Sequence, residues 1–361
     1  MASNATLPSG CNTVAIEYSS VEDIIKLVKQ KFPDCSIVED VEQGGCSYTM
    51  KFNSSDSGKD DTEKDTTFVV QIRPARFALS LKVASKAREW YADLAPLTTK
   101  LFEFVDKKNG NFAVYRVSYV PGMRLDQLQS KSSALGTGMA TKLHNVLDDL
   151  AVFHFGAWAL GRRLEQSDQG LSCDGRVGLT LSWRLEKLAK ELPSSLLRSK
   201  ARKVHQQVES GMLKILPVVF THGDLLPSNI LVDEARWKIN GLIDWAESEH
   251  LPFGISLYGI EYLLGHYSHG SLRPSFIFLD CAGRLRTYFW EKLVCSIPEL
   301  RGQRYREAVL LARDVGILLW TGFAWDEGRI DRVIDGTRDP AELCHLEAFL
   351  NVRHRSCDAS L

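Results

Sequence analysis

The stretch "HGDLLPSNILV" at residues 222–232 sets a Gly, an Asp, a Pro and an Asn just ahead of a run of Ile, Leu and Val, and "GLIDWAE" follows at residues 241–247. Turn chemistry alone explains the Gly, Asp, Pro and Ser. It does not explain the second segment. If Ile230 to Val232 pair antiparallel with Gly241 to Ile243 around the connection "DEARWKIN", Asn229 and Asp244 lie side by side at the open end of the hairpin. Two oxygen ligands at one spot suit Mg²⁺, which usually takes one or two protein ligands and completes its shell with phosphates and waters. Asp224, on the loop entering the same hairpin, faces that metal from the substrate side, where a carboxylate accepts a hydroxyl proton or orients the attacking oxygen. Each residue singly fits an ordinary capped loop. The ordered set points to metal and phosphate chemistry.

Upstream of this stretch the pattern is strand-rich. "SSVEDIIKLVKQKF" carries Val21, Ile24, Ile25 and Val28 at helical spacing behind serine capping signals. "SIVEDVE" and "CSYTMKF" read as two strands around the turn "QGG", "NSSDSGKDDTEKD" as a polar excursion, and "TTFVVQIRP" as a strand stopped by Pro74. Val83, Ala87, Trp90, Tyr91 and Leu94 share one helical face. "LFEFVDKKNGNFAVYRVSYV" is a hairpin through Asn109-Gly110, a dipeptide that accepts the positive φ angles of a tight turn. These residues predict a sheet of about five strands plus helices over residues 1–120. The Pro121-Gly122 stretch, residues 121–124, is the expected linker. Residues 125–361 read as a mainly helical second lobe, led by the stripe Met139, Leu143, Val146, Leu147, Leu150, Phe153 and Ala157. The fold class expected is α+β: a bilobal, protein-kinase-like fold with a strand-rich N-lobe and a mainly helical C-lobe.

Composition narrows the partners. Over 361 residues the chain is 44% hydrophobic, ample for a buried core, and its 44 basic and 45 acidic residues leave a net charge of -1. No positive field argues for nucleic acid and no basic run for a membrane surface. The eight cysteines are scattered, with no CxxC pair and no matching His spacing, as expected of reduced thiols rather than a zinc site. "MASNATLPSG" has neither a basic nor an apolar leader region, and "VLLARDVGILLWTGFAW" is broken by Arg313 and Asp314. A cytoplasmic location is the expectation, with oligomeric state left open.

"HGDLLPSNILV" together with "GLIDWAE" resembles the catalytic loop and metal-binding segment of the aminoglycoside phosphotransferase and choline kinase-like superfamily, in particular its fungal members. The resemblance covers most of the chain, since the glycine turn, "VVQIR", the linker "VSYVPG" and the loop stand in the family's order. It implies a kinase fold with ATP and Mg²⁺ in the cleft, Asp224 as catalytic base and Asn229 and Asp244 as metal ligands, with His222 bracing the loop backbone. Arg73 stands where the nucleotide-binding strand of kinases carries a Lys, and Arg is a planar fork rather than a point charge. Glu89, nearest to the usual helix Glu, points away from the apolar stripe. The backbone N–H groups of Gly45, Cys46 and Ser47 are candidates for cradling phosphate. In place of the family's "GDP...D" stretch, with its bracing carboxylate, the chain reads "HLPFGISLYG".

Tyr258, Tyr262, His266, Trp320, Phe323 and Trp325, expected on helices, are candidates for an acceptor site or for simple core packing. Asp326 and Glu327 close that stretch as a cation holder or a solvated helix end. The function expected is ATP- and Mg²⁺-dependent phosphoryl transfer to a hydroxyl or amine of a small-molecule acceptor. The alternatives are a non-catalytic, pseudokinase-like nucleotide-binding protein and a kinase fold recruited to different chemistry in a biosynthetic pathway.

Overall fold

The computed structural model describes residues 18–40, 43, 45–54, 67–108, 110–167, 170–269, 274–326 and 329–352. Gly44 of the glycine turn, most of the polar excursion, Asn109 and Glu327 lie outside the described residues. The chain forms two compact units, one comprising Met1–Arg88 with Pro96–Val120 and the other Glu89–Ala95 with Pro121–Leu361.

The first unit is built on an antiparallel sheet of five strands, β1 (Cys35–Asp40), β2 (Tyr48–Ser54), β3 (Thr67–Pro74), β4 (Thr98–Asp106) and β5 (Gly110–Ser118), in the order β1-β2-β3-β5-β4. Alternation decides which face is buried. Met50, Phe52, Phe68, Val70, Ile72, Phe112 and Val114 form one core with Val21, Ile24 and Val28 of the helix Tyr18–Lys31. The helical spacing in the sequence thus meets the strand alternation on a shared apolar surface. Gly110, which opens β5, has φ +94°, a conformation few other residues adopt.

The second unit is mainly helical, with long helices at Thr137–Glu165, Leu181–Glu191, Ser195–Glu209, Ala282–Ser296, Gln303–Gly322 and Pro340–Leu350. Leu143, Val146, Leu147, Leu150, Phe153 and Ala157 are all buried, which accounts for the stripe seen in the sequence. Its strands are short: β6 (Met123–Arg124), β7 (Val218–Thr221), β8 (Ile230–Val232), β9 (Ile239–Leu242), β10 (Glu249–Pro252), β11 (Gly265–Ser268), β12 (Ser275–Phe278), β13 (Phe323–Asp326) and β14 (Arg329–Val333). His266, Phe323 and Trp325 therefore stand on strands, not on the helices expected of them. Phe323 and Ala324 pair with Val333 and Arg332, so a partner strand that local periodicity does not reveal sets their conformation. The stretch ending at Asp326 is likewise no helix end, and Asp326 pairs with Arg332 at 2.7 Å.

The hairpin of β8 and β9 is fixed from one side by the helix Thr137–Glu165. Lys142 Nζ donates to Glu234 O, Asn145 Nδ2 to Arg236 O, and the Asp149 carboxylate accepts from Lys238 Nζ and from the Ile239 N–H, all at 2.7–2.9 Å. Residues 142, 145 and 149 recur at helical spacing, so one face of the helix holds the whole connection. Asp233 closes the turn by accepting the backbone N–H groups of Arg236 and Lys238. Among the described residues no helix is long and apolar enough to cross a membrane.

Candidate active site

Two nested pairings of the second unit create the site. The outer one joins Thr221 of β7 to Glu249 of β10, and the inner one joins Ile230 of β8 to Leu242 of β9. The loops between them, residues 222–229 and 243–248, are consequently held side by side. The Ile243 N–H donates to Asn229 O at 2.9 Å, which extends the inner ladder by one step and leaves Asp244 as the next residue. β8 and β9 pair antiparallel as expected, but one residue out of the expected register: Ile230 faces Leu242 and Asn229 faces Ile243, so Asp244 stands one residue beyond Asn229's partner. The turn at Asp233 and the irregularity at Leu231/Val232, which the apolar pattern does not encode, set the register. Asn229 Nδ2 donates to both the backbone oxygen and Oδ2 of Asp224, each at 2.9 Å, so the Asp and the Asn five residues apart are physically joined.

Each loop is braced through its backbone. His222, fully buried, donates from Nε2 to Ile243 O at 2.9 Å and accepts the Asp224 N–H on Nδ1 at 3.3 Å. Burial lowers its pKa to about 4, which keeps the ring neutral and preserves this pair of opposite roles. Ser248 Oγ donates to His222 O, and Tyr258 Oη donates to Gly223 O. Gly223 itself has φ +79°, and a Cβ there would lie 2.1 Å from Glu247 O. No other residue fits where the two loops pass.

Asp244 adopts φ 62°, ψ 63°, a left-handed conformation that Asp and Asn tolerate better than other non-glycine residues. The turn that follows buries Trp245 against His222, with ring centroids 4.4 Å apart, and Trp245 in turn packs on Tyr91 at 5.0 Å. Tyr91 stacks on Phe153 and donates its hydroxyl to Phe220 O. The loop 222–229, the segment 243–248 and the long helix thus share one aromatic column.

The electrostatics are those of concentrated negative charge. Burial, followed by the charge of Asp244 and then Glu247, pushes the Asp224 carboxyl up to about 7, against the opposing hydrogen bond from Asn229. Asp244 and Glu247 are exposed and Asp224 is half-buried. A hard divalent cation fits this donor set, because it would offset the mutual repulsion of the carboxylates and prefers oxygen. The Asn229 amide nitrogen is committed to Asp224, leaving Oδ1 as the atom for a cation. Among the described residues no group of three or more His, Cys, Asp or Glu side chains is arranged to hold a metal. Two protein ligands would need help from phosphate oxygens.

The other candidates belong to the first unit. Arg73 lies on β3 opposite Ala113, nearly buried, with Nε donating to Gln71 Oε1 at 3.2 Å and Nη1 to Phe77 O at 3.5 Å. Gly45 and Cys46 form a turn ahead of β2, and the buried Ser47 hydroxyl is 3.2 Å from Thr49 Oγ1. A phosphate role there rests on backbone N–H groups, as the sequence suggests. Glu89 is exposed and falls in the second unit. Were Arg73 a contact to nucleotide phosphate, Arg73→Ala would raise the KM for ATP by roughly tenfold, the worth of one charge-assisted hydrogen bond, with little loss of kcat, because a contact made equally in ground and transition states is uniform binding. Steady-state kinetics in ATP, or nucleotide calorimetry, would expose an Arg73 that serves only its own strand: affinity would not change.

Of the aromatic candidates for the acceptor side, Tyr258 is fully buried and stacked on Trp320 with centroids 5.1 Å apart, and Tyr262 packs among Phe276, His345 and Phe349. Trp325 is 46% exposed. Core packing accounts for the first two. The sequence reading missed that Tyr258 also reaches the loop, and it missed Ser248 and the hairpin anchors on the long helix. The helical spacing of Lys142, Asn145 and Asp149 was a usable signal for the anchors.

A family model described as "Phosphotransferase enzyme family" matches residues 54–254, a span that contains β3, Arg73 and both loops of the site. No curated protein matches the chain. Among solved structures, the ethanolamine kinase of Plasmodium vivax is 13% identical, covers 93% of this chain and 91% of its own, and superposes with a TM-score of 0.51. The macrolide 2'-phosphotransferase of Brachybacterium faecium is 14% identical over 92% of this chain and 99% of its own, with a TM-score of 0.45. The choline kinase of Streptococcus pneumoniae is 16% identical over 81% of this chain and 98% of its own, with a TM-score of 0.37. At such identities the ethanolamine kinase speaks for a shared kinase-like fold alone.

Proposed function

Because the chain belongs to the phosphotransferase enzyme family, we propose that it transfers the terminal phosphoryl group of ATP to a hydroxyl or amine of a small molecule, with Asp224 as the base. One observation carries this reading: Asp224, Asn229 and Asp244 stand on two adjoining loops, with Asn229 Nδ2 bonded to the Asp224 carboxylate at 2.9 Å.

The roles follow from chemistry. The Asp224 carboxylate accepts the proton of the acceptor hydroxyl as its oxygen bonds to the terminal phosphorus, and the bond from phosphorus to the bridging oxygen breaks to release ADP. Asn229 holds that carboxylate in place through Nδ2. Asn229 Oδ1 and Asp244 are the groups that would hold Mg²⁺, which when bound offsets charge on the phosphate oxygens. In the first unit, Arg73 and the N–H groups of Gly45, Cys46 and Ser47 are the proposed phosphate contacts, which makes Met1–Arg88 with Pro96–Val120 the nucleotide-binding lobe.

Calorimetry tests the reading without knowledge of the acceptor. Two protein ligands hold Mg²⁺ weakly, so we expect little heat from Mg²⁺ alone and mutual strengthening when Mg²⁺ and ATP are titrated together. Tight Mg²⁺ binding without nucleotide would contradict the ligand assignment. Absence of ATP binding in any combination would favour a kinase fold recruited to other chemistry.

A further inference from the structure

We infer that Tyr258 is a positioning residue for the phosphoryl-transfer loop, its phenol bracing the backbone that carries Asp224. This rests on the proposed role of Asp224.

The phenol oxygen donates to Gly223 O at 3.2 Å, one residue before Asp224. The side chain thus holds the peptide unit that leads into the candidate base. Gly223 sits tightly at the crossing of the two loops, with φ +79° and with Glu247 O 2.1 Å from where a Cβ would stand. The Gly223 carbonyl accordingly presents one direction to Tyr258.

The brace is itself held. Tyr258 is fully buried and stacks on Trp320 at 19° between ring planes, so its ring cannot swing away. It ends a helical turn, Ile255–Tyr258, whose continuation Gly259–Leu263 carries Glu261. Glu261, 1% exposed, receives Arg286 at 2.7 Å and Arg313 at 2.8 Å. Burial would raise its carboxyl, yet the two guanidiniums hold it below the ordinary range, so this clamp is ionised. A charged anchor on the helices Ala282–Ser296 and Gln303–Gly322 therefore fixes the segment from which Tyr258 reaches the loop.

The chemistry of a phenol differs from that of a carboxylate at this place. An ionised carboxylate only accepts, and would have to hold N–H groups; a phenol donates to a carbonyl. It also adds no charge beside Asp224, Asp244 and Glu247. Burial, and after it the charge of Asp224, push the phenol well above its ordinary pKa, so the donor keeps its proton.

The test uses the full chain with Mg-ATP, taking water as acceptor, and amide hydrogen exchange over residues 219–232. Tyr258→Phe keeps the ring and its stacking and removes only the hydroxyl. We expect turnover to fall roughly tenfold, the worth of one buried hydrogen bond, at unchanged KM for ATP, together with faster exchange in the loop. Val309→Ala, a buried truncation in the helix Gln303–Gly322, controls for lost stability and should leave turnover and loop exchange as in the parent. Unchanged loop exchange in Tyr258→Phe, or an equal fall in turnover in Val309→Ala, would overturn the inference. Absence of Mg-ATP binding in the parent protein would instead remove the proposed function, while loop exchange would still judge the brace.

Discussion

Asp224→Asn should leave Mg-ATP binding close to that of the parent while cutting turnover on the acceptor by about 10²- to 10⁴-fold, the usual contribution of a positioned base. The substitution is nearly isosteric, and the Asn229 amide can still donate to the remaining carbonyl oxygen of residue 224, so the loop should keep its shape. What is lost is the group that accepts the proton. It also removes the carboxyl whose ionisation is opposed by burial and by Asp244, so folding should not suffer. A thermal melt alongside the kinetics separates the two effects: an unchanged Tm with lost turnover is the expected pair. Full activity would remove Asp224 from the mechanism.

Asp244→Asn should fail in the opposite way. Asn tolerates the left-handed φ of 62° at this position, so the turn into Trp245 and its packing on His222 should persist. The metal shell, however, loses its only charged protein ligand in the proposed set. We expect Mg-ATP affinity to drop by at least the roughly 10- to 100-fold that even outer-shell changes produce at metal sites. ATP binding measured without Mg²⁺ should change little, or improve slightly as a repelling charge is removed. A titration of Mg²⁺ at fixed ATP reads this directly.

The contrast between the two aspartates was legible in the sequence because the hairpin is local. An apolar triplet, a polar connection and a second apolar triplet show that β8 pairs with β9 and bring Asn229 and Asp244 to the same end of the hairpin, but they do not fix the register, which sets Asn229 opposite Ile243 rather than Asp244. The first unit was legible for a related reason: its strands alternate, and Val21, Ile24 and Val28 announce the helix that covers them. Three kinds of feature stayed hidden. The outer pairing of β7 with β10 joins segments separated by the entire site, and nothing local specifies it. Phe323 and Trp325 continue the apolar pattern of the helix before them, and only β14 makes them a strand. Tyr258 looks like any core aromatic until its hydroxyl is found on Gly223 O, because a hydrogen bond to a backbone carbonyl 35 residues away leaves no spacing to read.

In the proposed mechanism one loop supplies a base and its neighbour a metal ligand. Isothermal calorimetry of Mg-ATP binding to Asp224→Asn and Asp244→Asn, under one buffer and against the parent chain, tests that division most directly. We expect an affinity near that of the parent for Asp224→Asn and a loss of at least about tenfold for Asp244→Asn. Equal loss in both variants would make the two loops a single structural unit without separate roles, and equal retention would take Asp244 out of the metal site.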